Sequence, residues 1–145
     1  MFKHLVVPTD FGEPAQAALD YAIELAKTYE AKLTLLHVYG VPTVYYPDSV
    51  AWPLEELGRA AQTSLDTAVA QVRERHGNAH GHVEVGDPRE AILKYAKESG
   101  ADLLVIGTHG RRGIAHLVLG SVAEWLVRMA PLPVLTVSTR TNQDK

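Results

Sequence analysis

No cysteine occurs among the 145 residues of the chain. Its absence excludes disulfide bonds, catalytic thiols and thiolate metal sites. The sequence also lacks an apolar run of about 20 residues, the length that a membrane-spanning helix needs, and it lacks an N-terminal apolar signal segment. We therefore expect a cytoplasmic protein with no membrane partner.

Charge of one sign is not concentrated anywhere along the chain. The 14 basic and 17 acidic residues are interspersed and give a net charge of −3. Nucleic acids and anionic membranes attract proteins through blocks of basic residues. The mixed charge pattern therefore argues against nucleic acid as a main partner.

Several signatures of catalysis and nucleotide binding are also missing. The sequence contains no G-x-S-x-G nucleophile elbow, no motif with paired carboxylates and no metalloprotease signature. It contains neither the lysine-bearing Walker A loop nor the G-x-G-x-x-G pattern of dinucleotide sites. We therefore expect no efficient catalysis, and a nucleotide site in this chain must be of another type.

Apolar patterns alternate between strand and helix along the chain. The length and the hydrophobic content of 46% suit one core, so we predict a single domain over residues 1–145. Apolar runs predict strands at residues 5–7, 33–38, 82–85, 103–106 and 133–137. Helical periodicity predicts a core-facing stripe at Ala15, Ala18, Leu19, Ala22, Ile23 and Ala26. A second stripe falls at Leu54, Leu57, Ala61, Leu65, Val69 and Val72.

Two more helices complete the alternation and set the expected architecture. Asp87-Pro88-Arg89-Glu90 opens the third helix, with Asp as the cap, and the fourth covers residues 122–129. Strands separated by helices need crossovers, which place helices on both faces of a parallel sheet. We predict an α/β fold, a five-stranded parallel doubly wound sandwich, whose ligand site lies where the first and fourth strands end side by side.

The connection after the fourth strand is rich in glycine. Gly107, Gly110, Gly113 and Gly120 are four of the eleven glycines in the chain. One interpretation is that they only permit turns with positive φ. The other is that they expose backbone N–H groups near a helix N-terminus, where a phosphate binds favourably.

Ser121 and Asp10 each have two interpretations. Ser121 and Glu124 have the spacing of a capping box, and the Ser121 hydroxyl could also contact a phosphate. Asp10 and Glu13 have the same spacing. If Pro14 takes the first helical position, Glu13 becomes the cap, and the Asp10 carboxylate faces the crevice. There it could accept from a ribose hydroxyl or hold a divalent ion.

The remaining polar residues of interest are basic or histidine. His109, Arg111, Arg112 and His116 lie in the glycine-rich connection and are either solvated charges or phosphate contacts. His80 and His82 share one strand face, but with His76 they do not supply the four ligands of structural zinc, and we predict no metal site. We interpret His37 as a buried or edge histidine and not as a base.

The long connection over residues 40–53 suits a lid, a contact surface or a flexible loop.

The chain resembles the universal stress protein family along its whole length. The resemblance rests on Pro8-Thr9-Asp10-Phe11, Leu36-His37-Val38, Gly107-Thr108-His109-Gly110-Arg111, Gly120-Ser121-Val122-Ala123-Glu124 and Ala130-Pro131-Leu132-Pro133-Val134-Leu135. Its most specific element is G-x2-G-x9-G-[ST], which marks the ATP-binding members of that family. The predicted fold is accordingly Rossmann-like, of the adenine nucleotide alpha hydrolase-like type, with strand order 3-2-1-4-5.

The resemblance implies ATP as the ligand, with Mg²⁺ or Mn²⁺ as a candidate companion ion. It implies adenine near Val38 and the Pro8-Thr9 turn, ribose on Asp10, and phosphates over the amides of Gly110 and Gly120 with the Ser121 hydroxyl. The full set of implied nucleotide contacts is Pro8, Thr9, Asp10, Val38, Ile106, Gly107, His109, Gly110, Arg111, Gly120, Ser121 and Val122.

The resemblance also implies a homodimer in which the last strand, from Pro133 to Val137, pairs with its symmetry mate. The expected function is a nucleotide-dependent stress-response regulator with little or slow ATP hydrolysis, whose bound nucleotide sets the shape of the glycine-rich connection and of residues 40–53. Two alternatives stay open: a slow ATPase or phosphotransferase, and a nucleotide-free interaction module. The sequence identifies no protein partner.

Overall fold

The computed structural model describes residues 1–40, 54–108 and 120–139, and these residues form a parallel sheet with helices on both faces. The strands are β1 (His4–Pro8), β2 (Lys32–Tyr39), β3 (Ala79–Val85), β4 (Leu103–Thr108) and β5 (Val134–Ser138). The helices are α1 (Glu13–Tyr29), α2 (Leu54–Arg73), α3 (Pro88–Glu98) and α4 (Ser121–Met129). The predicted order of strands and helices is confirmed.

The sheet has the strand order β3-β2-β1-β4-β5, as predicted. In the centre, β1 pairs with β2 on one side and with β4 on the other, where Leu5 lies opposite Leu103. The chain first builds the sheet outward through β2 and β3, then returns to add β4 and β5. The direction of winding therefore reverses between β1 and β4, and their carboxyl ends leave a crevice at that point.

The core consists of two apolar layers, one on each face of the sheet. Leu5 and Val7 pack with α1 and α2 on one face, and Val6 packs with α3 and α4 on the other. All six residues of the predicted α1 stripe are buried. In α2 the stripe is buried from Ala61 onward, whereas Leu54 is exposed. The uniform apolar run of β4 is buried on both faces, as expected for a central parallel strand.

All five strands differ from the sequence prediction at one or both ends, and β1 and β2 are each one residue longer at both ends. β3 begins at Ala79, three residues earlier than predicted, because it pairs with β2 along its whole length. Gly81 within it has no Cβ, and Leu65 and Val69 of α2 occupy the space where one would lie. β4 continues through Gly107 and Thr108, so Gly107 belongs to the strand and not to the connection. β5 is shifted by one residue and starts after Pro133.

Two helix starts also differ. The N-cap of α1 is Gly12, so Glu13 is the first helical residue, Pro14 is the second, and the prediction of Glu13 as the cap is wrong. The N-cap of α4 is Gly120, and its carbonyl accepts from the Glu124 N–H at 2.9 Å. The interpretation of Ser121 as a capping residue is therefore wrong.

The start of α3 is as predicted. Asp87 is the N-cap, its side chain accepts from the Arg89 N–H at 2.9 Å, and Pro88 opens the helix. No helix in the described ranges is both long enough and apolar enough to cross a membrane.

Candidate functional site

A cavity of about 340 Å³ lies at the carboxyl ends of β1 and β4, and we call it the switch-point cavity. Every predicted site residue within the described part of the chain lines it: Pro8, Thr9, Asp10, Val38, Ile106, Gly107, Gly120, Ser121 and Val122. These residues come from β1, β2, β4, α4 and the segments that flank them. The predicted contacts His109, Gly110 and Arg111 lie outside the described residues.

Other residues that were of interest in the sequence also fall outside the described ranges. They are Gly113, Arg112 and His116 of the glycine-rich connection, and residues 41–53 of the long connection before α2. Their predicted roles stay predictions.

Six further residues line the switch-point cavity and were not predicted: Pro14, Ala15, Leu36, Pro88, Ile92 and Ala123. Pro88 and Ile92 belong to the first turns of α3, which starts at the same edge of the sheet as the cavity. The sequence signal for a helix start at Asp87 could have predicted that Pro88 and Ile92 lie at the cavity, because α3 follows the carboxyl end of β3. The apolar side chains give the cavity a wall suited to a flat ring.

Asp10 lies at the mouth of the switch-point cavity and is exposed. Its Oδ1 accepts a hydrogen bond from the Gly12 N–H at 2.8 Å, which fixes the direction of the carboxylate. A carboxylate has acceptor capacity for several hydrogen bonds, so Oδ2 is available to a hydroxyl donor in the cavity. Asp10 therefore lines the cavity with a carboxylate oxygen that the Gly12 hydrogen bond does not use, and it does not cap α1.

Residues 9–12 form a tight turn, which we call the β1–α1 turn. The Thr9 N–H donates to the Leu36 carbonyl at 2.8 Å and continues the pairing of β1 with β2. The Thr9 Oγ1 accepts from the Phe11 N–H at 3.0 Å. Phe11 has a φ of 65°, a left-handed conformation that is uncommon for a residue other than glycine.

His37 contacts the β1–α1 turn from β2. Its Nδ1–H donates to the Thr9 carbonyl oxygen at 2.8 Å. Its ring lies 4.6 Å from the Phe11 ring, centroid to centroid, at a tilt of 45°. His37 is half-buried on β2, a strand that is paired on both sides, so it is neither fully buried nor at a sheet edge, and its hydrogen bond to the turn was not predicted.

The N-terminus of α4 borders the switch-point cavity. The first amides of a helix have no partner within it, and the helix dipole adds partial positive charge there. Here those amides belong to Ser121, Val122 and Ala123, all of which line the cavity. The Ser121 side chain is exposed and forms no hydrogen bond among the described residues. This end of the cavity can therefore donate hydrogen bonds to an anion.

The two described glycines of the motif serve different purposes, and neither has a positive φ. A Cβ on Gly107 would overlap the backbone of Pro14, so glycine is needed there for the close approach of α1 to β4. A Cβ on Gly120 would meet no described atom within 4 Å. Gly107 is thus explained by packing, whereas Gly120 leaves space at the cavity.

The histidines of β3 are engaged in local contacts. The His82 Nε2 lies 2.7 Å from Glu84 Oε1, and its ring stacks on Tyr95. The His80 Nε2 lies 2.9 Å from Asn78 Oδ1, and partial burial lowers the pKa of His80. Within residues 1–40, 54–108 and 120–139, no group of three or more His, Asp or Glu side chains could hold a metal ion.

Comparison with known proteins gives one consistent family. The family model described as Universal stress protein family matches residues 1–138. A universal stress protein of Methanocaldococcus jannaschii is 34% identical over 140 residues, covering 94% of this chain and 82% of that protein.

Solved structures of similar proteins share the fold. The universal stress protein UspA from Lactobacillus plantarum superposes with a TM-score of 0.78 at 27% identity, covering 94% of this chain and 97% of that one. A universal stress protein in complex with cAMP superposes with a TM-score of 0.68 at 27% identity, covering 96% of this chain and 99% of that one.

Proposed function

We propose that this chain, which belongs to the universal stress protein family, binds ATP in the switch-point cavity and acts as a nucleotide-dependent regulator. One observation carries the proposal: the predicted nucleotide contacts that fall within the described residues all line the same cavity. These residues are far apart in the sequence, so closeness in the sequence does not explain why they line one cavity. A neighbour at 27% identity is in complex with an adenine nucleotide, cAMP, which supports the same ligand class.

The lining of the cavity offers groups that suit each part of ATP. Val38, Leu36 and Ile92 offer apolar surface to the adenine ring, next to the Pro8-Thr9 turn. The Asp10 carboxylate accepts from the ribose hydroxyls. The amides at the start of α4, with the Ser121 hydroxyl, donate to the phosphate oxygens.

The proposal extends to residues and ions beyond these contacts. Gly110, His109 and Arg111 complete the phosphate site, and Mg²⁺ or Mn²⁺ accompanies the phosphates, which are the usual ligands of Mg²⁺ in nucleotide sites. We propose little or slow hydrolysis, because the sequence contains no recognisable catalytic motif beside the predicted nucleotide contacts. Turnover of ATP with Mg²⁺ at the rate of an ordinary kinase, about 1 per second or faster, would contradict this part.

The direct test is to identify and titrate the ligand. Freshly purified protein is denatured, and the released small molecules are separated by chromatography against ATP, AMP and cAMP standards. The stripped protein is then titrated with each nucleotide by calorimetry, with and without Mg²⁺. We expect ATP to bind most tightly. Tighter binding of AMP or cAMP would mean that this nucleotide, and not ATP, is the ligand. If none of the three binds, the proposal is contradicted.

A matched pair of glycine variants tests the place of binding. In Gly120→Val the branched side chain enters open space beside the first amides of α4, so ATP binding should be lost while the fold is retained. Gly77→Val is the control, because Gly77 is exposed and also has open space around a Cβ. Unchanged ATP affinity in folded Gly120→Val would remove Gly120 from the site.

A regulatory role further requires that nucleotide binding changes the protein. A ligand shifts a conformational equilibrium only through different affinities for the two conformations. We propose that ATP alters residues 40–53 and 109–119, which adjoin the cavity in the sequence. Limited proteolysis with and without ATP tests this, and equal cleavage rates in the two segments would contradict the switch.

A further inference from the structure

We infer that His37 is a positioning residue for the nucleotide site, acting through the β1–α1 turn on the Asp10 carboxylate. The inference rests on the proposed ATP site and concerns a residue that the site itself does not include. His37 does not line the switch-point cavity. Its role must therefore pass through the backbone that it contacts.

The sheet separates His37 from the cavity. Along β2, Leu35 packs in the layer of α1 and α2, while Leu36 packs in the layer of α3 and α4. Successive side chains of a strand alternate between faces, so His37 lies on the same face as Leu35. The cavity is lined by Leu36 and Val38, which lie on the other face. The His37 ring is thus behind the sheet relative to a bound ligand.

The hydrogen bond of His37 reaches the residue before Asp10. Its Nδ1–H donates to the Thr9 carbonyl, which is the peptide group that joins Thr9 to Asp10. With the Thr9 N–H bound to Leu36 and the Thr9 Oγ1 bound to the Phe11 N–H, both peptide groups of Thr9 are fixed. The direction in which the chain leaves β1, and hence the place of the Asp10 side chain, depends on this arrangement.

Phe11 provides the second contact of His37. Its left-handed φ of 65° is unfavourable for a residue with a Cβ, and such conformations persist only where surrounding contacts hold them. The contacts here are the His37 ring at 4.6 Å and the Thr9 hydroxyl. The reversed chain then brings the Gly12 N–H to Asp10 Oδ1 at 2.8 Å, which leaves Oδ2 for the ligand.

Variants of His37 can separate its hydrogen bond from its ring. His37→Phe keeps an aromatic ring beside Phe11 but has no N–H, whereas His37→Asn keeps an N–H near the position of Nδ1. We expect His37→Phe to weaken ATP binding about tenfold, the effect of one misplaced charged hydrogen bond. His37→Asn should restore most of the affinity. Equal affinities of wild type and His37→Phe would overturn the inference.

A second nucleotide distinguishes positioning of Asp10 from a general loss of structure. The analogue 2′,3′-dideoxy-ATP lacks both ribose hydroxyls, so it cannot donate to Asp10. We expect wild type to bind it more weakly than ATP, and His37→Phe to bind it as well as wild type does. A loss in His37→Phe that is equally large for both nucleotides would show a structural role and overturn the inference, as would equal binding of the two nucleotides by wild type.

The chain offers a matched control for removal of a histidine hydrogen bond. The His76 Nε2 lies 2.7 Å from the Ala31 carbonyl, next to the start of β2 and at the opposite end of the sheet from the cavity. His76→Phe should lower the unfolding midpoint without changing the affinity for ATP. A loss of affinity in His76→Phe as large as in His37→Phe would contradict a site-specific role.

The outcomes also separate this inference from the proposed function. If wild type binds no adenine nucleotide, the proposed function fails and His37 has no site to position. If wild type binds ATP and the His37 variants bind it equally, only the inference fails. If His37→Phe does not fold, the comparison of His37→Asn with His37→Gln tests the inference. The Gln amide reaches the position of Nε2 and not that of Nδ1, so His37→Asn should bind ATP more tightly than His37→Gln. Equal affinities of these two variants would overturn the inference.

Discussion

The hydrogen bond that orients the Asp10 carboxylate, from the Gly12 N–H to Oδ1, is possible in this geometry because residue 12 has no side chain. An ideal Cβ on Gly12 would lie 2.9 Å from Asp10 Oδ1, closer than such atoms approach in proteins. The carboxylate is the mobile end of its side chain, so it can move away at little cost to the fold. The cost would instead appear in ligand binding, since the same carboxylate is the proposed acceptor for ribose.

We predict that Gly12→Ser weakens ATP binding by about 1 kcal/mol, the size of one weakened hydrogen bond. Serine is chosen because it is at least as good an N-cap as glycine, so α1 should not be destabilised. Calorimetric titration gives the affinity, and chemical denaturation gives the free energy of unfolding. Gly77→Ser is the control, and unchanged affinity in Gly12→Ser would mean that the carboxylate position is unimportant.

His4 links the stability of the core to pH. The His4 side chain is buried, and its Nε2 lies 2.8 Å from Thr34 Oγ1. Burial lowers the pKa of His4 below the usual 6.5, and the nearby positive charge of Lys32 lowers it further. A hydrogen bond with the Ser99 backbone and the negative charge of Asp102 act in the opposite direction, and His80 adds to the lowering. The folded state therefore favours the neutral ring.

The sign of the pH dependence follows from that preference. As the pH falls below 6.5, the unfolded chain takes up a proton at His4 before the folded protein does, so stability is lost until the pH passes the lower pKa of the folded state. We predict that the free energy of unfolding falls as the pH is lowered through 6.5, and that His4→Gln reduces this fall. A fall of the same size in His4→Gln would exclude His4 as its source.

At the scale of elements, the contact between α1 and β4 closes one side of the cavity. Gly107 of β4 faces the backbone of Pro14 and Ala15, and a Cβ would overlap the Pro14 carbonyl group. Neither backbone can yield easily, because β4 is paired on both sides and α1 is packed along the sheet. The helix would have to move outward.

We predict that Gly107→Ala lowers the free energy of unfolding by about 3 kcal/mol, at the upper end of the usual cost of overpacking. Denaturant unfolding followed by circular dichroism measures it. Gly120→Ala is the matched control within the same motif, because a Cβ there meets no described atom within 4 Å, and it should change stability far less. Similar losses in the two variants would contradict the packing explanation.

Elements with a uniform or strictly periodic apolar pattern were predictable from the sequence. The α1 stripe and the apolar run of β4 are buried along their whole length, so burial alone sets their residue pattern and the pattern is unambiguous. The start of β3 was not predictable, because its first residues have weak strand propensity and are held by pairing with β2. The start of α1 was mistaken because Pro14 was placed at the first helical position, whereas it is the second. The start of α4 was mistaken because S-x-x-E spacing suggests a polar cap. A glycine is the N-cap in both helices.

The candidate site was predictable only where a motif carried it. The predicted contacts at the ends of β1 and β4 and at the start of α4 converge on the cavity. The apolar wall from α3 and the His37 contact were missed, because each depends on two elements that meet only in three dimensions. The left-handed Phe11 was also missed, since its conformation comes from its neighbours and not from its own preference.

At the scale of the whole molecule, β5 is the edge of the sheet formed by the described residues. The Leu104 N–H donates to the Pro133 carbonyl, so the backbone groups of Pro133 and Leu135 point toward β4. Backbone groups alternate along a parallel strand, and those of Val134 and Thr136 therefore point outward. We propose that they pair with β5 of a second copy, which forms the homodimer.

We predict that Thr136→Pro converts the dimer into a folded monomer, measured by sedimentation and circular dichroism. Proline removes the outward N–H of residue 136 while leaving the hydrogen bonds of Pro133 and Leu135 to β4, and proline is tolerated on an edge strand. Thr136→Val is the control, because it keeps the N–H and a β-branched side chain of similar size. If Thr136→Pro is folded and still dimeric, the two copies associate through another surface; if wild type is monomeric, the β5 dimer is wrong. ATP affinity should be unchanged in either variant, since the switch-point cavity is lined by none of the residues of β5.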